Sequence, residues 1–330
     1  MIIETKPETK PETKPQAMRD AFLTSLIEAM REHENITFIA ADFGSPVLDK
    51  LRAEFPDRFL NVGIAEQNLI NVSAGMALEG HIVFAYAIAN FITMRCFEQI
   101  RINLALLSEV RALNVNLIGV GAGYSYVVSG PTHQCLEDLS VMRSLPNVQV
   151  YSPSDHVSAA MLVKSCVNTS GPKYLRFDVQ ALPVLYANQA PDMELGFHMH
   201  RCSGNILLLA TGYMVHTALA VADRLSTMGH SVSVMDLFSL SRFSEEKLKE
   251  TLSAYAGIVT LEEGIHGRGG LDALITELVI RHNLSARLLP IGVEGGYRFD
   301  LGSREVLHEN VGIGVNSVLE RVNQFIDKQL

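Results

Sequence analysis

Residues 129–155, "SGPTHQCLEDLSVMRSLPNVQVYSPSD", bring several kinds of local structure into one short run. Glycine and proline between Ser129 and Gln134 mark the end of a loop. "CLEDLSVMRSL", 135–145, spaces its apolar residues as a helix does. "VQVYSPSD", 148–155, is a short apolar strand that runs into Ser154 and Asp155, residues suited to cap a following helix. A strand that feeds a helix belongs to a parallel sheet, because parallel neighbours need a crossover connection.

The same rhythm runs outward on both sides. "MRDAFLTSLIEAMREH" from Met18 is helical, "ITFIAAD" (36–42) and "RFLNV" (58–62) are strands, and residues 66–79 form a helix. "HIVFAY" (81–86) is a strand, 90–110 a helix, "RALNVNLIGVG" (111–121) a strand, and 121–134 a loop. Continuous apolar strands alternating with helices predict a doubly wound α/β domain with a parallel sheet. Such sheets bind ligands at the carboxyl ends of their strands. The stretch 186–204 has little periodicity and reads as an interdomain connection. Beyond it "ILLLATG", "SVSVMDL", "GIVTLEE" and "ARLLPIG" are strands, with helices near 214–228, 244–253 and 270–283. The expected organisation is a tail over 1–17, a first domain over 18–185, a linker over 186–204 and a second α/β domain over 205–330. The tail repeats Glu-Thr-Lys-Pro three times, and proline at every fourth residue forbids helix and sheet.

Composition narrows the function. Hydrophobic residues make up 48% of the 330, enough for two buried cores. The balance of 27 basic against 36 acidic residues argues against a nucleic-acid or anionic-lipid surface. No apolar run reaches the roughly 18 residues a membrane span needs. Cysteines at 96, 135, 166 and 202 form no CxxC pair, which suggests reduced core residues of a cytoplasmic protein and neither disulfide nor metal. No GxGxxG follows a strand, so a dinucleotide site is unsupported.

One acidic side chain stands out. In "NVGIAEQNLI" (61–70), Glu66 sits where a strand hands over to a helix, amid apolar neighbours. A Glu in the first turn of a helix complements the helix dipole, and position alone asks for nothing more. Three segments read together change that: "RFLNVGIAEQ", "ANFITMRCFEQI" and the opening run from 129 to 155. In this order and spacing they resemble the pyrimidine-binding domain of the transketolase family of thiamine diphosphate enzymes. The second unit resembles the family's C-terminal domain. The resemblance implies that Glu66 hydrogen-bonds N1′ of the cofactor's aminopyrimidine, setting the tautomer that activates it. A carboxyl group sealed from water holds a proton more readily than one in solvent, which suits that task. The resemblance also implies that Phe91, Met94 and Phe97 line the pyrimidine ring, although at helical spacing the three are an ordinary core stripe. It places His133 against the sugar's hydroxyls, where imidazole can donate and accept a proton. Ser129 and Tyr124 fall on the same substrate loop.

The chain departs from the family in two places. Where transketolases of simple sugar phosphates carry His, Glu and Asp ahead of the Thr-His pair, this chain has Gly121, Val128 and Ser129. Where they carry an arginine for the sugar phosphate, it has Val179, while Arg176 lies on another face of the strand. A channel bearing Tyr124, Tyr126 and Val128 suits a sugar other than an ordinary pentose phosphate. The family's GDG run for diphosphate and Mg²⁺ is absent from these residues. The resemblance therefore implies the second half of a split enzyme, with Mg²⁺ and the diphosphate held by an N-terminal-half subunit in an α₂β₂ assembly. Asp42 matches an acidic interface position, and a helix-capping role is an equal alternative. Two rival readings are the β subunit of a 2-oxo acid dehydrogenase and a catalytically silent assembly subunit.

Overall fold

A computed structural model describes residues 14–328. The repeats expected to be disordered lie, up to residue 13, outside the described residues, while Ala17 at the end of that segment bridges Ala181. The first domain's strands are β1 (Ile36–Ala40), β2 (Phe59–Asn61), β3 (Ile82–Ile88), β4 (Asn114–Val120), β5 (Gln149–Tyr151) and β6 (Lys173–Phe177). They form one sheet in the order β2-β1-β3-β4-β6-β5, with every neighbouring pair parallel. Its helices are α1 (Met18–Glu32), α2 (Pro46–Glu54), α3 (Glu66–Leu78), the short α4 (Phe97–Gln99), α5 (Asp138–Arg143) and α6 (His156–Asn168).

Period-two alternation along the strands divides the core. Phe38, Phe84, Tyr86 and Ile118 face α1, α2 and α6, whereas Ile39, Val83, Ala85 and Leu117 face α3 and α5. Both faces are apolar, so the sheet is covered on both sides as a parallel sheet requires. Ser45 caps α2 by accepting from Leu48 N, and Asp155 with Ser158 forms a capping box on α6. Asp42 caps no helix. It is exposed at φ +50°, and Asn61 Nδ2 donates to its carboxylate at 3.0 Å, joining the ends of β1 and β2.

The second domain contains β7 (His198–Arg201), β8 (Ile206–Ala210), β9 (Ser233–Asp236), β10 (Gly257–Ile265) and β11 (Arg287–Val293), in the order β11-β10-β8-β9-β7. Its helices are α7 (Met214–Thr227), α8 (Glu245–Ser253), α9 (Leu271–Arg281), α10 (Arg304–Asn310) and α11 (Val315–Asp327). β7 falls inside the stretch read as a connection and pairs antiparallel with β9. Its sequence, His-Met-His-Arg, has no apolar run, and an edge strand needs none because only one side is paired.

The domains are joined by buried charge. Glu263, at 1% exposure, accepts from Arg304 Nη2 at 2.6 Å and faces His308 Nε2 at 2.6 Å, while Arg304 Nη1 donates across the junction to Asp178 Oδ2 at 2.5 Å. Burial by itself would push the Glu263 carboxyl upward, but the charges of Arg304 and His308 hold it well below the usual carboxylate range.

Candidate active site

The carboxyl ends of β1, β3 and β4 lie side by side, and the chain leaving β3 enters the site directly. Asn90 and the turn Phe91–Arg95 line a cavity of about 490 Å³, together with Pro131, Thr132, Gln134 and Glu137. Tyr297 and Phe299, from the loop after β11 in the second domain, complete its rim.

Glu66 opens α3 beside this cavity and is only 4% exposed. The sequence predicts a sealed acid, and the structure seals it but also gives it a partner: Arg95 Nη1 donates to Glu66 Oε2 at 2.6 Å. The same guanidinium lies over the face of Phe91, 4.5 Å from the ring centre.

The helix expected over 90–110 is interrupted by two π-helical segments, Phe91–Arg95 and Ile100–Leu106. A π turn holds more residues than an α turn, so positions three apart diverge. Phe91 and Met94 line the cavity, while Phe97, one turn further on, is half-buried against the first domain's core.

His133 is held by its backbone. Asn90 Nδ2 donates to the carbonyls of Thr132 and Gln134, at 3.0 and 2.9 Å, and so fixes the loop that presents the imidazole. The ring stands edge-on to Phe91 on one side and to Tyr126 on the other, with centroids 5.5 and 5.7 Å apart. Tyr126 reaches this position because Gly121 has no side chain. Gly121 adopts φ +110°, and a Cβ there would collide with the Tyr126 ring.

Tyr124, expected on the substrate loop, packs into the domain junction. It is fully buried in the second domain's apolar cluster, its N–H donates to Glu263 Oε1 at 3.1 Å, and its ring stands edge-on to His308. The domain junction, which no local pattern reveals, claims this residue. Ser129 and Val128 occupy the exposed tip of the loop. Arg176 is buried too. Its Nε donates to Asp138 Oδ2 at 2.8 Å and its Nη2 to the Cys135 carbonyl, so it braces the loop from below.

Arg19, which the sequence does not single out, opens α1. The first turn of α1 lies at the sheet's carboxyl edge, because a helix preceding a parallel strand runs antiparallel to it. Arg19 Nε donates to Asp20 Oδ1 at 2.8 Å; burial would lower its pKa, but Asp20 and the Tyr86 hydroxyl outweigh burial and raise it. A cation in the first turn opposes the helix dipole, and that was the available signal.

The cavity suits a flat polar ring. Both amide ends of Gln134 and Asn90 Oδ1 are buried without a hydrogen-bond partner among the described residues, and the Glu66 carboxylate is bonded to Arg95, which lines the cavity and lies over the Phe91 face. Among the described residues no group of three or more His, Cys, Asp or Glu side chains is placed to hold a metal ion.

Comparison with known proteins gives the family. The pyrimidine binding domain of transketolase matches residues 14–184, and the transketolase C-terminal domain matches residues 198–318. A solved split gene transketolase, described as an inactive β4 tetramer, is 30% identical with a TM-score of 0.81, covering 94% of this chain and 98% of that one. An apulose-4-phosphate transketolase subunit of Actinobacillus succinogenes is 29% identical over 297 residues, 89% of this chain and 93% of that protein. The 6-deoxy-6-sulfo-D-fructose transketolase subunit SqwH of Clostridium sp. strain MSTE9 is 26% identical over 314 residues, 94% and 95% of the two chains. The chain belongs to the transketolase family, whose enzymes use thiamine diphosphate and a divalent metal, and is the subunit carrying the pyrimidine-binding and C-terminal domains of a split transferase.

Proposed function

We propose that this chain, paired with a subunit that holds the diphosphate and Mg²⁺, transfers a two-carbon ketol unit from a ketose to an aldehyde acceptor. The observation that carries this reading is the buried Glu66 carboxylate, joined through Arg95 to the Phe91 face that lines the cavity. Thiamine diphosphate, when bound, supplies the carbon nucleophile that attacks the ketose carbonyl. Glu66 holds a proton against the pyrimidine N1′, Phe91 offers the ring a flat apolar surface, and Met94 fills the space beside it. His133, held between Phe91 and Tyr126, moves a proton at a sugar hydroxyl.

The sugar is not a housekeeping pentose phosphate. The relatives named for apulose 4-phosphate and for 6-deoxy-6-sulfofructose support a branched or modified ketose, and Val128, Ser129 and Val179 leave the channel without the family's usual side chains. The assembly is α₂β₂, with sites completed at the subunit interface. Reconstitution with the diphosphate-binding subunit and a screen of apulose 4-phosphate, 6-deoxy-6-sulfofructose, xylulose 5-phosphate and unphosphorylated ketoses tests the reading. Preference for a modified ketose is expected. Xylulose 5-phosphate as the best donor would refute the specificity, and loss of all ketol transfer would refute the reaction.

A further inference from the structure

The seat assigned to the pyrimidine already has an occupant. Arg95 Nη1 donates to Glu66 Oε2 at 2.6 Å, and its guanidinium stands 4.5 Å from the centre of the Phe91 ring. A guanidinium is a flat, delocalised cation with N–H donors in its plane and a face that stacks on aromatic rings. An aminopyrimidine protonated at a ring nitrogen presents the same features. Arg95 therefore engages both groups that the reading above gives to the cofactor, and a pyrimidine seated on the same oxygen and the same ring face has to displace it.

The surroundings make the occupancy exchangeable. Glu66 is 4% exposed at its side chain, and leaving it unpaired is strongly unfavourable, so a departing cation must be replaced by another donor. Arg95 is 44% exposed and can regain water on leaving. Glu137, which lines the same cavity, offers the displaced guanidinium a second carboxylate. Arg95 also ends the π-helical turn that begins at Phe91, the kind of irregular turn that collects at functional sites.

We propose that Arg95 is a built-in competitor for the pyrimidine seat, so that cofactor enters only by taking Glu66 and the Phe91 face from it. The proposal rests on the assignment of that seat to thiamine diphosphate. Isothermal titration with thiamine diphosphate and Mg²⁺ of the full-length chain reconstituted with the diphosphate-binding subunit, comparing wild type with R95M and R95K, tests it. R95M keeps a flexible stem without a donor, and is expected to bind about tenfold more tightly, the factor carried by one charge-assisted hydrogen bond. R95K, which can pair but cannot stack as a plane, is expected to fall between the two. Low, non-denaturing guanidinium chloride should weaken binding to R95M more than sodium chloride at equal ionic strength, because the free cation refills the vacated place. Binding by R95M equal to or weaker than wild type overturns the proposal; if R95M melts far below wild type, the same criterion applies to R95K. Absence of binding by all three proteins, alone and with the diphosphate-binding subunit, overturns the pyrimidine assignment itself and the proposal with it.

Discussion

Replacing Glu66 by Gln separates chemistry from stability at the centre of the site. The side chain is 4% exposed, and its partner Arg95 is 44% exposed. Gln has nearly the same volume, and its amide oxygen can still accept from Arg95, so what is lost is the charge assistance, about 1 kcal/mol. Against that, a buried carboxylate no longer has to be desolvated, a gain of similar size once the partner's access to water is considered. Stability should therefore move by no more than about 1 kcal/mol. The rate has no such compensation. An amide cannot share a proton with a pyrimidine nitrogen, and losing a positioned proton-transfer group costs about 10²- to 10⁴-fold. Urea unfolding of the chain and a coupled ketol-transfer assay of the reconstituted enzyme measure the two quantities separately. Transfer within fivefold of wild type, or a stability loss above roughly 3 kcal/mol, would refute the assignment, the second by making Glu66 a structural residue.

Three further outcomes follow from the geometry. R304M leaves Glu263 and Asp178 buried without their shared cation and should cost about 3–5 kcal/mol in urea unfolding, whereas a cost below about 1 kcal/mol would mean the junction does not depend on it. Burial pushes Asp236 from 3.8 up to about 7, although Ser154 and Tyr186 donate to it. The folded chain therefore keeps this proton after the unfolded chain has lost it, and stability falls by roughly 3 kcal/mol between pH 5 and pH 8 from this group alone. D236N should remove that share of the slope, and an unchanged slope would contradict the burial argument. G121A places a side chain at φ +110° and against the Tyr126 ring, at a cost of roughly 1–3 kcal/mol. By dislodging the ring that backs His133 it should lower ketol transfer while sparing thiamine diphosphate affinity; equal losses in both would show that Tyr126 does not act through His133.

Local periodicity and local capping made the architecture legible. Apolar runs such as "IVFAYAI" and "NVNLIGV" had to be strands of a sheet covered on both faces, and Glu66 had to stand at the start of a helix, because both follow from hydrogen bonding and side-chain direction within a few residues. The π turns were not legible, because the spacing that marks an α-helix carries no sign that the backbone will widen. β7 escaped for the opposite reason: an edge strand can form without an apolar pattern.

The amino-acid order alone determined which segments are strands and helices, which family they resemble and which carboxylate to examine. Tertiary structure alone decided what each polar side chain meets. Arg95 reaches Glu66 across 29 residues, Tyr124 is taken by Glu263 across 139, and Tyr297 and Phe299 arrive at the cavity from the other domain. Such meetings depend on the order of strands in the sheets and on how two domains close against each other. No window of neighbouring residues contains that information, because a side chain's partner is set by the folded surface it lands on.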